Sequence, residues 1–270
     1  MMPPNELIDG YASGFDVRPP VPSVHIAEAA VVALRTAARL TPLRPGLVDG
    51  RAGHPDSAAE ALREPLRQCA EAARTLPLGP ALRDRFGAIG RAGERRIADV
   101  TRSVGTHRGA LWTLGLLSAG AAVTEGAESA ASFAALVART LHPCAPRRAT
   151  RGAVGEARGG FPHVIRIGLP ALRASRRRGE TGETVALNAL IAIMATLDDT
   201  GVVRRGGAEA LRLVNRRAAD VVQAGGCGTD EGRARLEALC REAAQHGLAM
   251  GGSADLLAAT LFLDRLAGSE

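Results

Sequence analysis

Residues 152–162 read GAVGEARGGFP, four glycines around one carboxylate, Glu156, and one guanidinium, Arg158. Glycine lacks a Cβ, so backbone there reaches positive φ and lies close against a ligand. The stretch stands between two helical patterns and reads as a glycine-rich loop. It is either a structural turn or a loop aiming one acid and one cation at a small polar target. An acid so placed suits proton transfer or stabilisation of a developing positive charge, and its ordinary alternative is a cap at a helix N-terminus. Other glycine-marked runs are RPGLVD at 44–49, THRGA at 106–110, DDT with RRGG at 198–207, and GGSADLLA at 251–258. Thr106 reads as an N-cap with His107 and Arg108 in the first turn, a helix start whose unpaired N–H groups suit phosphate. Asp198 and Asp199 fall at the end of an apolar run, where they oppose the helix macrodipole, so the spacing predicts a compensating cation, metal or Arg. Ser253 reads as the cap of the last helix, with Asp255 in its first turn.

The elements that must position these groups are helical throughout. Apolar residues recur at helical spacing over 23–40 with Ser23 as N-cap, over 57–76 with Pro65 as a kink or break, and over 81–101. The same spacing covers 127–141, 164–174 despite Pro170, 208–224, 229–246 and 251–266. Residues 183–197 are apolar on nearly all sides and predict a central buried helix. No strand alternation persists and no repeat of fixed period occurs. The expected fold is all-α: a single-domain bundle of about ten helices over residues 23–270 with glycine-rich functional loops, after a loose arm at 1–22.

Composition removes several chemistries. The 270 residues are 46% hydrophobic but only 3% aromatic, so small aliphatic side chains must fill closely packed helices. All 34 basic residues are Arg, which excludes a Schiff-base lysine and a P-loop lysine. Guanidinium groups stay charged and grip phosphate bidentately, so the net charge of +6 admits a polyanionic ligand. Cys69, Cys144, Cys227 and Cys240 lack zinc spacing and read as buried hydrophobes or spare thiols. With no signal peptide and no membrane span in view, the expected location is the cytoplasm.

Taken in order, the glycine-marked motifs resemble the triphosphoribosyl-dephospho-CoA synthase family over about residues 25–266, most specifically in GEARGGFP and GGSADLLA. THRGALW, with IGRAGE upstream, is more similar to its malonate decarboxylase branch than to its citrate lyase branch. The resemblance implies an all-helical enzyme that joins ATP to 3′-dephospho-CoA and expels adenine. Its product, 2′-(5″-triphosphoribosyl)-3′-dephospho-CoA, is the precursor of the prosthetic group on an acyl-carrier subunit and passes to a holo-acyl-carrier-protein synthase. ATP is thus a substrate and Mg²⁺ its expected companion. Neither membrane nor nucleic acid is an expected partner, and a homodimer is compatible with the pattern. Such an exchange at an anomeric carbon passes through an oxocarbenium-like transition state by analogy with glycoside hydrolysis.

On that resemblance Glu156 is the general base or oxocarbenium stabiliser, with Asp199 as its catalytic companion. Asp199 and Asp198 are also the first candidates for Mg²⁺, and Asp49 and Glu94 match family positions that complete a carboxylate cluster. Arg44, Thr106, His107, Arg108, Arg158, Arg205 and Gly206 are candidate substrate contacts. Gly251, Gly252 and Ser253 seat phosphate at a helix start, with Asp255 as an acceptor for ribose hydroxyl or metal-bound water. The family often has Asn at Gly105, Pro at Met250, and Asn or Cys at Gly201. Two other readings stand beside this one: an ADP-ribosyl-type N-glycohydrolase, in which water replaces the attacking hydroxyl, and a basic helical nucleic-acid-binding module. Sparse aromatics and evenly spread arginines weigh against the latter.

Overall fold

The periodic apolar runs fold as helices. The computed structural model describes residues 21–40, 55–101, 107–141 and 152–268. Its first elements are α1 (Ser23–Arg39), α2 (Pro55–Thr75), α3 (Pro80–Thr101), α4 (Arg108–Val123), α5 (Ala127–Leu141) and α6 (Gly152–Arg158). A π-helical turn at Val164–Gly168 runs into α7 (Leu169–Arg177), followed by α8 (Gly182–Met194), α9 (Thr200–Gln223), α10 (Asp230–Gln245) and α11 (Gly251–Ala267). Among the described residues there are 11 α-helices and no strand, which is the expected all-α fold. Of the expected N-terminal arm, residues 1–20 lie outside the described set.

Helices apolar on every side must be enclosed on every side, and this fixes the centre. α4 packs on α2, α5 and α11, while α8 packs on α7, α9 and α11. Their sequences, RGALWTLGLLSAGAAV and GETVALNALIAIM, are buried over most of their length. Small residues set the spacing. A Cβ on Gly120 of α4 would overlap the Ala130 carbonyl of α5, and one on Gly168 would overlap the Thr260 hydroxyl of α11.

Several local expectations are corrected. GAVGEAR is helix α6 rather than loop; only Gly159 and Gly160 form the turn. α2 continues through Pro65 without a break. Ser23 lies inside α1, whose N-cap is Pro22, and its hydroxyl accepts from Arg74. Ser253 is likewise inside α11, whose N-cap is Met250. His107 is itself the N-cap of α4, at φ 61°, so only Arg108 enters the first turn.

The largest correction concerns the paired aspartates. α8 ends at Met194, and Asn215 of α9 donates to the Met194 and Leu197 carbonyls at 2.6 and 3.2 Å, fixing the turn between the helices. Helix α9 then begins at Thr200, eight residues before the helical pattern recognised in the sequence, because a kink at Gly207 (φ 70°) interrupts the periodicity. Asp199 is therefore the N-cap of α9, accepting from the Gly201 N–H at 2.8 Å. An anion at a helix N-terminus is favoured by the macrodipole, so no compensating cation is demanded there.

Candidate active site

Segments of α2 to α6, α9 and α11 meet around one cavity of 1160 Å³. That is slightly above the roughly 300–1,000 Å³ of pockets for a single drug-sized ligand. Its wall joins buried apolar side chains, among them Phe86, Ile89, Leu111 and Leu116, to charged groups on α3, α4, α9 and α11.

Glu156 reaches this cavity from α6 and is 6% exposed. The chain turns sharply after α6: the Phe161 N–H donates to the Glu156 carbonyl at 2.7 Å, with Gly160 at φ 76° and Phe161 at φ 52°. Gly160 takes that conformation freely. Phe161 holds it because its ring is fully buried. The turn brings His163 back onto Glu156, with Nδ1 2.6 Å from Oε1 and the His163 main-chain N–H donating to Oε2 at 3.3 Å. The hydrogen bond to Glu156 holds the imidazole pKa above the usual histidine value, against partial burial. The charge of Glu156, the Thr196 backbone and the charge of Asp198 act in the same direction.

Asp199 has a different setting. It is 3% exposed, and while Oδ1 accepts from Gly201, Oδ2 accepts from both the N–H and the hydroxyl of Ser253, at 2.8 and 2.9 Å. One carboxylate thus clasps the N-termini of α9 and α11, where its charge suits both dipoles. Gly252 permits the approach, since a Cβ there would lie 3.2 Å from both Asp199 oxygens. At Gly201 a Cβ would come within 2.9 Å of the Ala249 carbonyl.

The other expected groups divide clearly. Glu94, His107, Arg108, Asp198, Arg205, Gly251, Gly252 and Asp255 all line the cavity with Glu156 and Asp199. Asp255 lies over Gly109, whose missing Cβ makes room for its carboxylate. Arg108 donates to Glu94 at 2.9 Å in an exposed pair, an interaction of roughly 0–1 kcal/mol that ligand phosphate can displace. Arg158, Gly206 and Ser253 are not among the lining residues. Ser253 is fully buried against Asp199, and Gly206 packs towards Leu248. Arg44, Asp49 and Thr106 lie outside the described residues.

Sequence reasoning missed His163, Trp112 and Arg204. Arg204 and Trp112 line the cavity, and the Trp112 indole donates to the Ala153 carbonyl at 3.2 Å. Two signals were present: Trp112 is the sole tryptophan, and His163 directly follows GEARGGFP.

Among the described residues, no three His, Cys, Asp or Glu side chains converge as a ready metal site. The Asp199 oxygens are engaged by protein donors, and Asp198 is the exposed neighbour that lines the cavity. The described thiols are poor nucleophiles: burial pushes Cys69 and Cys227 up to about 12 and Cys240 to about 11, while Cys144 lies outside the described residues. No described helix is long and apolar enough to cross a membrane.

A helical fold that gathers acids and arginines around one deep cavity has the character of an enzyme acting on phosphorylated substrates. The CitG family model, described as ATP:dephospho-CoA triphosphoribosyl transferase, matches residues 23–149 and 145–270, and the chain belongs to that family. It is 43% identical over 271 residues to a probable 2-(5″-triphosphoribosyl)-3′-dephosphocoenzyme-A synthase of Stutzerimonas stutzeri, covering 92% of this chain and 93% of that protein. It is 41% identical over 266 residues to the Klebsiella pneumoniae 2-(5″-triphosphoribosyl)-3′-dephosphocoenzyme-A synthase, covering 90% and 95%. A probable synthase of the same name from Azotobacter vinelandii is 43% identical over 281 residues, covering 94% and 96%. No solved structure matches the chain.

Proposed function

We propose that the cavity binds ATP and 3′-dephospho-CoA together and joins them as 2′-(5″-triphosphoribosyl)-3′-dephospho-CoA, releasing adenine. The observation that carries this reading is the convergence of Glu156, Asp198, Asp255 and the cavity arginines from distant parts of a chain belonging to this family. In the reaction the 2′-hydroxyl of dephospho-CoA attacks C1′ of the ATP ribose and the C1′–N9 bond breaks. The hydroxyl proton passes to Glu156, the departing adenine takes up a proton from solvent, and Glu156 then returns its proton to solvent, so protons and charges balance. A carboxylate has about four acceptor positions, so the two hydrogen bonds from His163 leave two for substrate. The same negative charge stabilises positive charge developing on the ribose.

Arg108, Arg204 and Arg205, which line the cavity, hold the triphosphate in this reading, and Asp255, which also lines it, accepts from a ribose hydroxyl. Mg²⁺ typically takes one or two carboxylates together with substrate phosphate oxygens, and Asp198 is the described side chain suited to that share. The ion would neutralise triphosphate charge. By its motifs the chain serves malonate decarboxylase, handing its product to a holo-acyl-carrier-protein synthase.

Incubation of the protein with ATP, 3′-dephospho-CoA and Mg²⁺, followed by chromatography, tests the reading. Adenine is expected only when both nucleotides are present. Adenine from ATP alone would identify a hydrolase, and a salt-dependent shift of DNA without adenine release would identify a nucleic-acid binder.

A further inference from the structure

A glutamate side chain has three rotatable bonds between backbone and oxygens, and fixing them costs conformational entropy. α6, a helix of 7 residues, does not orient the Glu156 carboxylate by itself. His163, seven positions on, engages both oxygens: Oε1 through its imidazole Nδ1 at 2.6 Å and Oε2 through its main-chain N–H at 3.3 Å. The placement of His163 is fixed in turn. Gly160 and Phe161 both have positive φ, the Phe161 ring is wholly buried, and the Val164 and Ile165 N–H groups donate to the Phe161 carbonyl at 2.9 and 3.0 Å. A non-glycine residue in that region is strained and persists only where its surroundings over-determine it. Strain is thus held at the one turn that sets His163 against Glu156.

Resting on the reading of Glu156 as the group that takes the hydroxyl proton, we propose that His163 is its positioning residue, holding the carboxylate so that its free acceptor positions face the cavity. His163 is not among the residues lining the cavity, so it acts through Glu156 and not on substrate. The charges acting on its ring are Glu156 from α6 and Asp198 from the α8–α9 turn. Both favour the imidazolium, and the Thr196 backbone is a further partner.

Steady-state kinetics on the full chain with ATP and 3′-dephospho-CoA test this. His163→Ala is expected to lower kcat about 100-fold while the KM for ATP stays within about threefold, the signature of misplaced machinery with intact binding. His163→Asn, whose amide nitrogen takes the place of Nδ1, is expected to recover at least about tenfold of that loss. A kcat within about threefold of wild type for His163→Ala, with Glu156→Gln inactive, overturns the positioning role and leaves the role of Glu156 standing. Near-normal turnover by Glu156→Gln overturns the reading of Glu156 itself. If His163→Ala does not fold, judged by loss of a cooperative melt, His163→Asn is compared with His163→Gln. Turnover sustained by Asn alone supports the proposal, and equal turnover by the two overturns it.

Discussion

Two groups of enclosed polar side chains lie in this bundle. One ties the α7–α8 connection to the turn before α10. There the Ser175 hydroxyl and the Asn188 amide both donate to Glu180 Oε2, at 2.6 and 2.9 Å, and Arg178 donates to the same oxygen at 2.7 Å. Asn188 Oδ1 in turn accepts the Cys227 N–H at 2.7 Å. Gly226 and Gly228 fit only because a Cβ at either would overlap Asn188 or Glu180. The other group holds Glu156, His163, Asp199 and Ser253 beside the cavity. Both use carboxylates, hydroxyls and glycine-enabled close approach, yet none of Ser175, Glu180 or Asn188 lines the cavity. The difference is where the remaining acceptor capacity faces. Glu180 takes three donors on Oε2 away from the cavity, whereas Glu156, with two donors from His163, faces the cavity. Asp199, marked by its motif as a site residue, is spent much as Glu180 is, on joining two helix starts.

Substitutions at matched positions break or sharpen that contrast. The largest effect is expected at Glu156→Gln: kcat lower by about 10²–10⁴, as for loss of a general base, with the thermal melt nearly unchanged. Retained turnover would erase the distinction from Glu180. At Asn188→Ala the pattern inverts. Leaving the Cys227 N–H and Glu180 short of partners is expected to cost about 3 kcal/mol by urea unfolding, with kcat preserved at low temperature. Asp199→Asn decides to which group that residue belongs. Whichever way the new amide turns, its NH2 would face a donor of either Gly201 or Ser253, with an expected loss of about 2 kcal/mol. An unchanged melt together with activity restored by added Mg²⁺ would return Asp199 to the chemistry.

Ser253→Ala removes one of the three bonds to Asp199, for an expected loss of about 1 kcal/mol in the same unfolding measurement. The smallest effect is the pH dependence of the His163–Glu156 pair. Because the folded-state pKa of His163 is raised above 6.5, the stability contributed is full below that value and is lost as pH rises through the raised one. The urea midpoint of the wild type is expected to fall across that window, and His163→Gln is expected to lack this component.

Much of the fold was legible because helical period survives the scarcity of aromatics. Residues 127–141 are helical with the expected bounds, and the buried run at 183–197 is the core of α8 and its following turn. The two departures that matter most for the site lie at glycines. GAVGEAR has the composition of a loop because glycine is a poor helix former, yet tertiary packing makes it helix α6. The start of α9 was missed for the same reason, which put Asp199 at the wrong end of a helix. Glu156 was legible as an acid among glycines, and Asp198 and Asp255 as acids inside glycine-marked motifs, since those patterns are local. His163 was not, because its role depends on a turn that reverses the chain.

The sequence by itself determined the all-helical fold, the arginine-only cationic chemistry and the motifs that place the chain in its family. Those properties follow from local spacing and from side-chain type. Only the tertiary structure decided which acids face a shared cavity and which are spent on helix ends, and that His163 holds Glu156. Hydrogen-bond partners far apart in the chain become neighbours only when helices pack, and their distances then settle what each carboxylate has left to offer.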